Sequence, residues 1–101
     1  MDQAIRRQFS YNDWANRRVA SSLRTVNGSI DRPLRLFAHI LNAESLWLGR
    51  IVGEPGPLPW DERTLDECDR LVERNRADYE RFLDSPLAED DRRIIDYRTT
   101  D

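Results

Sequence analysis

The chain holds one histidine, His39, and one cysteine, Cys68, so the chemistry open to it is narrow. His39 lies in the stretch Leu36 to Arg50, LFAHILNAESLWLGR, inside an otherwise apolar helical pattern. An imidazole there can exchange a proton or bind a metal through a ring nitrogen. A metal centre needs two or three further ligands, and the chain offers no second His and no second Cys. Glu44 is a carboxylate on the same helix, but five residues on from His39 it points roughly 140° away. A metal site made by these residues alone is therefore not expected. The plainer reading of His39 is a core histidine bonded to an asparagine or a backbone carbonyl. Cys68, being alone, forms no intrachain disulfide and reads as a small apolar core residue. No Gly-rich phosphate loop follows a strand, and the serines lack the partners of a hydrolytic triad.

Three further polar residues fall on apolar stripes: Asn12 and Asn16 early in the chain, and Asn75 late. A buried polar group without a partner costs on the order of 1–3 kcal/mol. Together with His39, these side chains are expected to share hydrogen bonds, water or an ion. Asn12, Asn16 and Asn75 are thus candidates for a pocket, with core hydrogen bonding as the plainer alternative. Trp47 is a candidate pocket wall. Trp14, Trp47 and Trp60 all read more simply as core than as a stacking platform.

Three helices must position these groups. The first runs from about Ala4 to Leu23, with Ile5, Phe9, Val19 and Leu23 at helical spacing, and ends at Asn27-Gly28. The second runs from Pro33 to Val52 after a cap at Ser29 or Asp31. Its main stripe is Leu36, His39, Ile40, Ala43, Leu46, Trp47 and Ile51, and Phe37, Leu41 and Leu48 form a second. The remaining arc, Ala38, Asn42, Ser45 and Gly49, is small enough to admit a neighbouring helix. This helix is expected to be buried over most of its circumference. The segment GEPGPLPW, residues 53–60, is loop, long for a helical hairpin, with Trp60 folding back on the bundle. Thr64 and Glu67 have capping-box spacing and open the third helix, with Leu65, Cys68, Leu71, Val72, Asn75, Tyr79, Phe82 and Leu83 inward. Ser85-Pro86 ends it. Residues 93–100, RIIDYRTT, lose helical spacing and read as a short strand.

The 101 residues suit a single domain. A hydrophobic fraction of 39% and a charged fraction of 35% fit a helical bundle with charged outer faces. The net charge of −3 leaves no electrostatic footprint for nucleic acid. No apolar run is long enough to span a bilayer. No signal peptide is evident at the start, and the cytoplasm is the simplest compartment.

The segments YNDWANRR (Tyr11 to Arg18) and LRLFAHILNAESLWLGRI (Leu34 to Ile51) resemble the DinB/YfiT-like superfamily. CDRLVERNRADYERFLDS (Cys68 to Ser85) and IDYRTTD (Ile95 to Asp101) are similar to that family's third helix and the strand after it. The resemblance rests most on His39, Ala43, Glu44, Trp47 and Leu48. It implies an all-α, up-down bundle, three helices of a four-helix bundle with one crossover connection, plus the short C-terminal strand. It implies a homodimer acting on a small molecule. It also implies nickel or zinc held by three histidines, of which His39 matches the first. The other two lie in the family on a later helix, in a His-x3-His arrangement absent here. The chain is therefore expected to be the N-terminal portion of a longer protein. The family's activities are thiol-dependent transfer, with a low-molecular-weight thiol, and metal-dependent hydrolysis. The competing reading is a non-catalytic helical module that dimerises through exposed apolar surface, with a structural His39. A DNA-damage-linked binding role is suggested only by the family's name, and the acidic charge gives it no support.

Overall fold

The computed structural model describes residues 3–89. They form three helices, α1 (Gln3–Arg24), α2 (Asp31–Val52) and α3 (Leu65–Leu83), followed by a 3-10 turn at Pro86–Glu89. The strand expected at 93–100 lies outside the described residues. No helix among those described is long and apolar enough to cross a membrane.

The helix boundaries follow local chemistry. After α1 the chain turns at Gly28, whose φ of +107° favours glycine. The cap position of α2 is Ile30, which has no side-chain acceptor; Ser29 Oγ instead accepts from Asp31 N at 3.3 Å. Gly53, at φ +82°, closes α2 by donating its N–H to Gly49 O. Thr64 and Glu67 make the expected capping box at 3.1 and 3.0 Å.

Cross-helix pairs give the direction of each helix. Arg6, near the start of α1, reaches Leu83 O and Asp84 at the end of α3. Arg24, at the end of α1, reaches Asp66 and Asp69 at the start of α3. These two helices are antiparallel. Asn75 donates to Leu41 O, and Tyr79, four residues on, donates to Glu44 O, three residues on. So α3 runs parallel to α2, and up-and-down order holds only for the first pair. Residues 53–64 must therefore return along α2. That helix is 22 residues long, or about 33 Å, and the twelve residues of the return span at most about 40 Å. The length that is excessive for a hairpin is what a crossover needs.

The crossover occupies the small-residue arc of α2, where the sequence suggests a neighbouring helix. Asn42 Nδ2 donates to Asp61 O at 2.9 Å and Pro59 O at 3.4 Å, and Asn42 Oδ1 accepts from Arg63 Nε at 2.6 Å. A Cβ on Gly49 would lie 2.5 Å from Glu54 O, and one on Gly56 would lie 2.8 Å from the Cα of Leu46. Backbone thus rests on backbone.

The core gathers Ala20 and Leu23 of α1, Phe37, Ala38 and Leu41 of α2, and Cys68, Leu71 and Val72 of α3. Cys68 is fully buried as expected, and burial pushes its thiol pKa up. The main stripe expected on α2 is not the buried one. Leu36, Ile40 and Trp47 are 47%, 50% and 43% exposed. Because α2 is apolar nearly all round, α3 and the crossover cover only the faces carrying Phe37, Leu41, Leu48, Ala38, Asn42 and Gly49. Trp14 and Trp60 are likewise half exposed, so none of the three tryptophans is core. Trp14 lies beside Tyr11, the two rings tilted, and under Arg18, and Trp47 lies under Arg50.

Charges dress the outside. Asp13–Arg17 and Arg76–Glu80 pair one turn apart within their own helices, while Asp66 pairs with Arg24 across helices. Glu73 sits between Arg76 and Arg17, and their hydrogen bonds hold its pKa down at about 2. Its carboxyl is therefore expected to stay charged at pH 3, where an ordinary glutamate is protonated. Any stability it lends is present above the ordinary glutamate pKa and lost as pH falls through about 2. An NMR titration of the glutamate carboxyl carbons checks this; a Glu73 midpoint near 4 would contradict the network.

Candidate functional site

Two polar constellations stand on opposite flanks of the exposed α2 stripe. The first is centred on Glu44, in the middle of α2. Asn12 Nδ2 donates to Glu44 Oε1 at 2.9 Å, and Asn16 Nδ2 to Oε1 and Oε2 at 3.1 and 3.3 Å. Asn75 Nδ2 reaches Oε2 at 3.4 Å while bonding Leu41 O at 3.1 Å. The three asparagines expected to share a partner do share one, and it is this carboxylate. Asn16 and Asn75 are buried and Asn12 is exposed.

Each helix contributes for a local reason. Asn12 and Asn16 stand one turn apart on α1, so both face the same point of α2. Asn75 lies on the buried stripe of α3 between Leu71 and Leu83. Tyr79, one turn further, donates its hydroxyl to Glu44 O at 2.7 Å and packs its ring on Phe9 at 4.7 Å. Together these residues line a cleft of about 330 Å³ between α1 and α3, with Glu44 of α2 in its wall.

Burial, and then the nearby charge of Glu44, push the Tyr79 pKa up to about 12. The folded protein therefore holds this proton where the unfolded chain has released it. The resulting stability is full below the ordinary tyrosine pKa and is lost as pH rises from about 10 to about 12. A spectroscopic titration is expected to show one tyrosine ionising late, and Tyr79→Phe to remove that step. A late step that persists in Tyr79→Phe would assign it elsewhere.

The second constellation is His39 with the crossover. Nδ1 lies 2.9 Å from Pro59 O, and the ring stacks on Trp60 at 3.8 Å with 13° between planes. Arg35 lies over the same indole. A carbonyl oxygen can only accept, so Nδ1 carries the proton and Nε2 of the neutral ring keeps its lone pair. Nε2 has no hydrogen-bond partner among the described residues. His39 is thus the expected carbonyl-bonded histidine, with one nitrogen left open.

His39 and Trp47 do not join the asparagine set. The 140° between His39 and Glu44 on α2 sends them to different neighbours, and Trp47 lies on the exposed stripe between them. Among the described residues, no group of three His, Cys, Asp or Glu could hold a metal ion. Sequence reading weighs Glu44 as a ligand beside His39 and Asn42 as a small residue of the α2 arc, and so misses both as the polar anchors they are. Three amide side chains on two other helices, all needing an acceptor, were the signal for Glu44.

No protein-family model matches the chain, and neither a curated protein nor a solved structure matches it.

Proposed function

We propose that the chain supplies His39 to the divalent-metal centre of a DinB/YfiT-like enzyme, a hydrolase or thiol-dependent transferase acting on a small molecule. The observation that carries this reading is the His39 Nδ1–Pro59 O hydrogen bond. A carbonyl that fixes one ring nitrogen as donor leaves the other as a ligand, which is how metal-binding histidines are usually oriented. The run from His39 to Leu48, with Ala43, Glu44 and Trp47 at the family's spacing, supports the assignment. The described residues provide one ligand and no complete centre, so the others belong outside residues 3–89. Nickel or zinc would supply Lewis-acid activation of a substrate, water or thiol. The part of this chain is to hold the imidazole: Pro59 fixes its tautomer, and Trp60 covers one ring face. A homodimer in the cytoplasm belongs to the same reading.

The test uses protein that carries the whole metal centre. His39→Ala is expected to weaken nickel or zinc binding by at least about tenfold in a competition titration. Unchanged affinity would remove His39 from the centre.

A second reading is favoured by the exposure of Leu36, Ile40 and Trp47 on one stripe of α2. Here the chain is a helical module that self-associates through this stripe, and His39 is structural. A monomer by sedimentation at high concentration counts against it.

A further inference from the structure

Glu44 differs from every other carboxylate lining the α1–α3 cleft. Asp13 pairs with Arg17, Glu80 with Arg76 and Asp84 with Arg6. Glu44 enters no ion pair among the described residues and is met only by amides. The two arginines in the cleft wall, Arg6 and Arg76, are those already engaged by Asp84 and Glu80. One negative charge therefore faces the cleft without a counter-charge.

A second, independent observation points the same way. Two buried side-chain atoms have no hydrogen-bond partner among the described residues, Asn75 Oδ1 and Asp13 Oδ1. Both residues line this cleft, and Asn75 is only 4% exposed. The orientation of the Asn75 amide is fixed, because its nitrogen faces the acceptors Leu41 O and Glu44 Oε2. Both orphan atoms are acceptors, so the cleft lacks donors rather than acceptors. Glu44 Oε2 also keeps capacity, since its two contacts are long, at 3.3 and 3.4 Å.

From these observations we infer that the cleft binds a small organic cation, an alkyl- or arylalkylammonium, whose nitrogen pairs with Glu44. Its remaining N–H groups go to the orphan oxygens of Asn75 and Asp13, two residues that line the same cleft. Its hydrocarbon part lies against Phe9 and Tyr79, whose ring faces suit a cation as well as an apolar group. A bare metal ion fits less well. Hard cations require oxygens all round, and Asn12 and Asn16 turn amide hydrogens toward the carboxylate instead. The cleft volume of about 330 Å³ is at the small end of ligand sites, which run roughly 300–1,000 Å³. This site is separate from His39 and does not depend on the metal reading.

The experiment is an NMR titration of the chain with benzylammonium chloride, following the side-chain amide signals of Asn12, Asn16 and Asn75, with benzyl alcohol as the neutral isostere. Saturable shifts with benzylammonium are expected, with affinity at least about tenfold above that for the alcohol. Glu44→Gln is expected to lose at least about tenfold of the benzylammonium affinity. Equal binding of cation and alcohol would overturn the inference, and this comparison needs no variant. So would full binding by Glu44→Gln, or the same amides responding to calcium chloride at lower concentration, which would make this a hard-metal site.

Discussion

Asn42→Ala is expected to destabilise the fold by about 3 kcal/mol, measured by urea unfolding. For a domain of this size that corresponds to a loss of roughly 15 °C in Tm. Asn42 is fully buried and uses both ends of its amide on the crossover: two carbonyls, of Pro59 and Asp61, on the nitrogen, and the Arg63 guanidinium on the oxygen. Alanine leaves all three groups without this partner and opens a cavity between α2 and the return chain. Asn42→Asp sharpens the comparison. It keeps an oxygen for Arg63 but sets a second oxygen against the Pro59 and Asp61 carbonyls, so it too should be destabilised. A loss below about 1 kcal/mol in both variants would mean that the crossover holds without this anchor.

Gly49→Ala is expected to reverse the usual sign of its substitution. In an ordinary helix interior the change stabilises by about 1 kcal/mol. Here the new Cβ would lie 2.5 Å from the backbone oxygen of Glu54, which has no flexible side chain to move aside. The crossover must lift, and overpacking of this kind costs about 1–3 kcal/mol. We expect a net loss of about 2 kcal/mol by urea unfolding. A gain in stability would show that the crossover does not rest on α2 at Gly49. Because a lifted crossover also moves Pro59 and Trp60, the His39 ring signals should shift in the same variant.

Much of the local organisation is legible in the sequence, because local chemistry decides it. The capping box at Thr64 and Glu67 needs only residues within one turn. The inward stripe of α3 is plain, because its other faces are charged. On α2 the same reasoning chooses the wrong face. Apolar residues nearly surround that helix, so periodicity cannot rank Leu36 and Ile40 below Phe37 and Leu41. The choice is made by a non-local event, the return of residues 53–64 along the small-residue arc. The three asparagines were recognisable as a set because each interrupts an apolar stripe. Their common partner was not, since a glutamate in a helix normally reads as surface. Only the bundle geometry brings Glu44 against two helices that are 28 and 31 residues away in sequence.

The parallel run of α2 and α3 has a kinetic consequence. α1 packs chiefly on α3, and much less on α2, its neighbour in sequence. The side-chain hydrogen bonds that tie α1 to α3 join residues 42 to 77 positions apart. A chain wired this way cannot zip up through successive helical hairpins. Most of the loop-closure entropy must be spent before the contacts that repay it exist. The three described helices should therefore assemble more slowly than helices joined by successive hairpins, with rates closer to those of mixed α/β topologies. Shortening residues 53–64 would not hasten it, because the two parallel helices could then no longer be joined.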